Sequence, residues 1–321
     1  MIINIALAAD DRFLQALRTT LFSIFRHAAP DDRFRFSIIC DRKALSEKSR
    51  QIIEQDIIRN NRDKASLSFL YIEDSYYELP ECFAGSYASY YRYALGRLLP
   101  DTDKVLYLDS DIIVLSSLAP LFGTDLKDNF FAGIEDLGYR FCRHFIDPVK
   151  YFCSGDYFNC GVILFNLKLM RSENIEQKLI DFTKNEKRIV FSDQDALNTI
   201  CEKKLKLDYI WNTKQESSIR NEPVFTHPEM ADILKAARTP RIIHYITSSK
   251  PWLSPFCRRG NIWHRHYLEL VLHEDISRFT IKIILYYCIQ LLIITYFTLT
   301  EKIHLFLKNK GIIKNIYKSK I

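Results

Sequence analysis

KVLYLDSDIIVL, residues 104–115, runs four apolar or aromatic side chains, Val105 to Leu108, straight into Asp109-Ser110-Asp111, then resumes with Ile112 to Leu115. An apolar run this continuous reads as a strand buried on both faces, as in a sheet covered by helices. Two carboxylates inside it are costly to bury unpaired, so they are expected at the strand's end, beside a cation. Residues two apart on an extended chain point the same way, which lets Asp109 and Asp111 converge on one ion. Two other Asp-x-Asp triplets occur, Asp101–Asp103 and Asp193–Asp195. The first follows Pro100 in a polar connection and reads as a solvated turn. Only Asp109–Asp111 ends a buried strand, the place where open α/β sheets bind ligands.

Outward from this stretch, strands alternate with helices. Residues 2–8 (IINIALA) form a strand that ends at Ala9-Asp10-Asp11. A helix over 12–28 follows, with a stripe at Phe13, Leu17, Leu21 and Phe25, and Asp10 or Asp11 can cap it. Strands are expected at 34–40, 67–72, 130–135, 162–165, 205–211 and 241–245, and helices at 46–59, 85–99, 172–187 and 196–202. This alternation indicates an α/β fold with a largely parallel sheet. The opening turn has no glycine-rich fingerprint, so it is not a dinucleotide or P-loop cradle. Arg92 is either a solvated or stacked arginine or a guanidinium reaching a phosphate. Asn159-Cys160-Gly161 before an apolar strand is either an ordinary turn or a close approach of backbone to a ligand. Ser192 or Asp193 can cap the helix that follows, with Asp195 in its first turn. His244 ends a strand and matters only if it meets Asp109 and Asp111 in space.

The chain has 321 residues, 48% hydrophobic and 26% charged, enough for a sizeable globular core without disorder or repeats. Its first residues lack a basic n-region and a cleavage site, so they read as a strand rather than a signal peptide. Eight cysteines are scattered with no CxxC pair, against a structural zinc site and in keeping with reduced cytosolic thiols. Six lysines and no acid lie in 302–321, so the net charge of +6 belongs to the tail and the rest of the chain sums to zero. A neutral body argues against a nucleic-acid partner.

Taken in order, Ala8-Ala9-Asp10-Asp11, Tyr91-Arg92, Leu106 to Asp111, Tyr157 to Val162, Asp193-Gln194-Asp195, and His244-Tyr245 with Lys250-Pro251-Trp252 resemble glycosyltransferase family 8. The nearest pattern is that of the bacterial lipopolysaccharide galactosyl- and glucosyltransferases. The resemblance covers about residues 2–265 and implies a GT-A fold: a Rossmann-like, mixed, mostly parallel sheet flanked by helices. It implies a glycosyltransferase domain over 1–265 with a separate tail over 266–321. The implied activity is retaining transfer of glucose or galactose from UDP-glucose or UDP-galactose to a lipid-linked oligosaccharide, with Mn²⁺ (or Mg²⁺). By position, Asp109, Asp111 and His244 would be metal ligands. Ala8, Asp10 and Ser110 would meet the nucleoside, and Lys250 with Thr247 and Ser248 the diphosphate. Arg92, Asp136, Asn159 and Cys160 would line the donor sugar, with Asp193 and Gln194 at the reacting carbon. Three positions depart from the pattern: Arg12 where Asn is frequent, Thr247 where Gly is, and Cys160 where Ala is.

Residues 283–299 are mostly apolar, and seventeen helical residues span roughly 25 Å, short of a ~30 Å hydrocarbon core. Lys282 before them and six lysines after fit a helix lying on an anionic membrane surface, more than a span or a buried helix. The expected location is the cytoplasmic face of the inner membrane. Acceptors in capsule, teichoic acid or protein, and a non-catalytic UDP-sugar-binding scaffold, are the alternatives.

Overall fold

The computed structural model describes residues 1–61, 63–82, 86–136, 157–214, 230–246, 249–254 and 257–272, and six single helical positions: Cys288, Leu292, Thr295, Tyr296, Leu299 and Ile303. Strand β1 is Ile2–Ala9, buried without interruption from Ile5 onward. It pairs in parallel with β2, Arg33–Cys40, which pairs in parallel with β3, Ala65–Tyr71. Helices α1, Leu14–Arg26, and α2, Glu47–Asn61, make the two crossovers. On the other side of β1 lies β4, Lys104–Leu108, again parallel. Beyond it the sheet becomes mixed: β7, Phe158–Asn166, runs antiparallel to β4 and to β6, Phe131–Glu135, and β8, Lys204–Lys206, is parallel to β6. The seven strands lie in the order β3-β2-β1-β4-β7-β6-β8. The expectation of a mixed, mostly parallel α/β sheet therefore holds.

A second, three-stranded sheet has β10, Ile242–His244, at its centre, antiparallel to β5, Ile112–Val114, and parallel to β9, Thr213–Lys214. The chain leaves β4 at Leu108, turns through Asp109–Asp111, and enters the other sheet at Ile112. That turn corrects the sequence reading in one respect. The two aspartates converge because the chain changes sheets there, not because an extended strand points alternate side chains one way. Apolar packing holds both sheets. One face of the large sheet packs Leu17, Leu21 and Ile53 of the crossover helices against Ile5, Leu7 and Leu106. The other gathers Tyr76, Tyr90, Tyr93 and Tyr107 with helices α3, Leu167–Ser172, α4, Ile175–Asn185, and α5, Ser192–Ile200.

Several local expectations shift for visible reasons. The helix expected over 172–187 is α4, and Asn174, in the left-handed conformation (φ 49°) that asparagine tolerates, separates it from α3, which lies ahead of the expected range. The strand expected over 205–211 stops at Lys206, and Asp208 then caps a 3₁₀ turn, Tyr209–Trp211, by accepting from Ile210 N–H. The aromatic stretch before β4 is a 3₁₀ helix over Ala88–Ala94 closed by one turn of α-helix, Leu95–Leu98. Helices α6, Met230–Arg238, and α7, Gly260–Leu272, fall outside the sequence expectation. The latter runs through positions 265 and 266, where the tail was expected to begin, and buries Trp263 and Leu270. Among the described residues no helix is long and apolar enough to cross a membrane, and most of 283–299 lies outside those residues.

Candidate active site

Asp109 and Asp111 flank the turn between the sheets, and His244 ends β10 directly opposite Ile112 of β5. Tyr245 N–H donates to Asp111 C=O at 3.0 Å, which fixes the histidine's strand against the turn. His244 Nε2 lies 3.1 Å from Asp111 Oδ1 and 3.6 Å from Asp109 Oδ2. The three ligand atoms lie within 4.8 Å of one another, so the distant histidine does complete the cluster. Asp111 Oδ1 is buried yet has no hydrogen-bond partner, an arrangement that costs free energy unless something else approaches that oxygen. Two carboxylates and an imidazole are a mixed O/N donor set suited to a divalent ion such as Mn²⁺. Asp111 Oδ2 accepts from Lys250 Nζ at 2.5 Å. Burial alone would raise the Asp111 carboxyl, but the Lys250 ammonium beside it is the largest opposing influence and the carboxyl lies well below the usual carboxylate range.

Gly161 makes this geometry possible. Its carbonyl accepts from Asp109 N–H at 2.8 Å, and a Cβ there would lie 2.1 Å from His244 Cε1 and 2.7 Å from Asp109 Oδ2. The close approach that the Asn159-Cys160-Gly161 stretch can signal is real. The groups pressed against the backbone are the side chains of the cluster itself.

Arg92 is buried and spans the site. It stacks over Tyr107 at 4.2 Å and donates to Asp109 Oδ1 at 2.9 Å and to the Cys160 carbonyl, and its Nε lies 3.2 Å from Asp193 Oδ2. Of the readings the sequence offered, the structure shows the stacked arginine, with its guanidinium over Tyr107 and engaged by Asp109, Asp193 and the Cys160 carbonyl. Burial pushes the Asp193 carboxyl up to about 7, Arg92 pulls against it, and Asp109 adds to the rise. Gln194 is only partly buried. Its Oε1 accepts from Asn159 Nδ2 at 3.1 Å and Cys160 N–H at 3.2 Å, while Nε2 donates to Asp136 Oδ2 at 3.3 Å. Asp136 Oδ1 pairs with Lys214 on β9. Burial drives the Cys160 thiol well above its ordinary range, so it lines the site as a neutral group. Asp195 is fully buried and structural: it accepts from Tyr157 OH at 2.5 Å and from the N–H groups of Val190 and Phe191.

Ala8 is the penultimate residue of β1, and its carbonyl accepts from Ser110 Oγ at 2.6 Å, so the two stand side by side at the end of the strand. Asp10 caps the 3₁₀ turn Asp11–Phe13 through Phe13 N–H and pairs with the half-exposed Arg12 at 2.8 Å. The departing residue Arg12 thus lies on the aspartate expected to face the nucleoside. Thr247 and Ser248 lie outside the described residues. Asn212, Lys214 and Asn198 were not anticipated. Each follows or interrupts a short apolar run, a pattern with no chemical signature of its own. Asn198 holds α5 to β7 by bonding Phe158 at both N–H and C=O, each at 2.8 Å.

A mixed α/β sheet whose central strand β4 runs into an Asp-x-Asp turn, met by a histidine from a second sheet, is in keeping with a glycosyltransferase of the GT-A class. The solved galactosyltransferase LgtC, in complex with donor and acceptor sugar analogues, matches 83% of this chain and 96% of its own at a TM-score of 0.72 and 26% identity. The family model for glycosyl transferase family 8 matches residues 4–255, and the chain belongs to that family. Curated relatives include the lipopolysaccharide 1,3-galactosyltransferase of Salmonella typhimurium, 28% identical over 78% of this chain and 73% of its own. Glycosyltransferase GlyA of Streptococcus pneumoniae is 35% identical over 57% of this chain, and the chain spans 24% of GlyA's length.

Proposed function

We propose that this chain is a metal-dependent, retaining hexosyltransferase that moves glucose or galactose from a UDP-sugar to a lipopolysaccharide or lipooligosaccharide core acceptor. The observation that carries the reading is the Asp109–Asp111–His244 cluster with its orphaned buried oxygen, set where the central strand β4 of a GT-A sheet ends. A divalent ion held by these three residues, Mn²⁺ in the first instance, supplies positive charge against the diphosphate that departs. Lys250, already beside Asp111, adds a second positive charge at the same place. Ala8, Asp10 and Ser110 take the nucleoside side, and Asp10 accepts from ribose hydroxyls.

Gln194 and Asp193 act at the sugar by position and charge. Both ends of the Gln194 amide are engaged, its oxygen by two donors, which leaves it poorly placed to attack carbon. This favours a front-face path. The bond from the anomeric carbon to the UDP oxygen breaks, the acceptor oxygen bonds on the same face, and the acceptor proton passes to the departing phosphate. A sugar trapped covalently on Asp193 or Gln194 of the wild-type enzyme would refute that path.

The tail places the enzyme at its acceptor. Leu292, Tyr296, Leu299 and Ile303 are helical and exposed, at spacings of four, three and four, in keeping with an apolar face laid on an anionic inner-membrane surface from the cytoplasmic side. The test is a donor panel with mass-spectrometric detection, in Mn²⁺ and in EDTA, for wild type, Asp111→Ala and His244→Ala. The reading requires Mn²⁺-dependent turnover of UDP-glucose or UDP-galactose that both variants lose. UDP-sugar binding without any such turnover would favour the scaffold. Transfer to capsule, teichoic acid or protein instead of lipopolysaccharide core would keep the chemistry and change the acceptor.

A further inference from the structure

Asn212 follows the 3₁₀ turn Tyr209–Trp211, is buried, and directly precedes β9. Its two amide ends face different parts of the site. Oδ1 lies 3.0 Å from His244 Nδ1, and Nδ2 donates to Asn159 Oδ1 at 2.8 Å. The neighbours fix which end is which. Asn159 Oδ1 also accepts from Gly161 N–H at 3.1 Å, while Asn159 Nδ2 donates to Gln194 Oε1 and Asp136 Oδ2. Asn159 is therefore an acceptor toward Asn212, so Asn212 turns its NH₂ to Asn159 and its oxygen to the histidine. An amide oxygen has no proton to give, so His244 Nδ1 carries one.

The consequence falls on the other ring nitrogen. Nε2 faces Asp111 Oδ1 and Asp109 Oδ2. Left to itself, an imidazole between two carboxylates would turn an N–H toward them and could not ligate a cation through that nitrogen. With Nδ1 protonated against Asn212, the neutral ring presents a lone pair at Nε2. We propose that Asn212 is a positioning residue that selects the metal-ligating tautomer of His244. Its second amide end ties that ligand to the Asn159–Gln194–Asp136 network at the donor sugar. Histidine ligands held this way by an outer partner commonly lose 10–100-fold in metal affinity when the partner is removed.

The inference rests on the metal reading above, and its test separates the two. Full-length protein labelled with ¹⁵N-histidine is loaded with Cd²⁺, a diamagnetic probe, and examined by NMR. The expected result is coupling of the metal to His244 Nε2 with Nδ1 protonated. Coupling through Nδ1 overturns the proposal without recourse to any variant. Calorimetric Mn²⁺ affinity is then compared for wild type, Asn212→Leu and Asn212→Asp. The leucine variant should bind Mn²⁺ roughly 10–100-fold more weakly. The aspartate variant, whose carboxylate accepts the same proton, should stay within a few-fold of wild type. It should nevertheless lose turnover, because it cannot donate to Asn159. Leucine-variant affinity equal to wild type overturns the tautomer role alone, and a wild-type protein that binds neither cation overturns the metal reading and this inference together.

Discussion

Replacing Gly161 with alanine puts one methyl group into the centre of the metal cluster. Its Cβ would lie 2.1 Å from His244 Cε1, 2.8 Å from Nδ1 and 2.7 Å from Asp109 Oδ2. Ordinary contact begins at 3.4 Å, so the imidazole must retreat by about 1.3 Å. The backbone cannot absorb the shift easily, since Gly161 accepts from Asp109 N–H and donates to Asn159 Oδ1. Nor can the ring swing freely, because Nδ1 is held by Asn212. Overpacking of this kind costs about 1–3 kcal/mol of fold stability. The larger effect falls on the site: displacing the ligand imidazole should cost at least as much as removing its outer hydrogen-bond partner, roughly 10–100-fold in metal affinity. Mn²⁺ affinity measured by calorimetry is thus expected to fall roughly 10–100-fold, the upper end equivalent to ~2.8 kcal/mol. Thermal unfolding with and without EDTA distinguishes the two losses: the variant should be modestly less stable without metal and should gain little when Mn²⁺ is added. An alanine variant that binds Mn²⁺ within three-fold or so of wild type would refute the geometry from which this follows.

Other expectations are equally direct. Lys250→Met should raise the KM for UDP-sugar by roughly 10–100-fold, the scale of a charge-assisted hydrogen bond, while Mn²⁺ binding holds or tightens, because the ammonium competes for Asp111. Weaker Mn²⁺ binding would contradict that assignment. Asp193 titrates near 7 because burial outweighs Arg92, so its neutral form favours the folded state; in metal-free protein this stabilisation is complete below the unfolded value and is lost as pH rises through about 7. Between pH 5 and 8 the melting temperature of wild type should therefore fall relative to Asp193→Asn, and parallel profiles would exclude the shift. Deleting residues 277–321 should move the protein from the membrane fraction to the soluble one and leave Mn²⁺-dependent UDP-sugar hydrolysis intact, and unchanged partition would count against the tail as the anchor.

What the sequence made legible follows the range of the interactions involved. Strands β1, β4 and β6 were readable because burial on both faces leaves a nearly continuous apolar run, and β2 because Phe34 and Phe36 alternate with exposed Arg33 and Arg35 ahead of one. The Asp109–Asp111 pair was readable because charge inside such a run demands a reason. His244 was reachable only through resemblance, since nothing near Ile242–His244 records that β10 lies antiparallel to β5. Asn212 and Lys214 were invisible for the same cause. Their meaning depends on one-to-one register between short strands far apart in sequence, and polar residues at the ends of apolar runs are common in any globular chain. The start of α4 just after Asn174 was hidden for a local reason, because a single left-handed asparagine interrupts no hydrophobic pattern.

The charges explain why so much of the site is held under tension. Asp109, Asp111 and Asp193 stand against Arg92 and Lys250, and Asp136 is already paired with Lys214. With all three carboxylates ionised, this inner set is one unit negative, which would repel a diphosphate. Burial is the main cause of the raised titration of Asp193, and the neighbouring charge of Asp109 adds to it. A divalent cation held by the cluster would reverse the sign to one unit positive. The same cation offsets the cost of burying Asp111 Oδ1 and gives the donor a positive surface to meet. On the proposed function, metal and nucleotide are coupled through this charge, and each should tighten the binding of the other by the same factor.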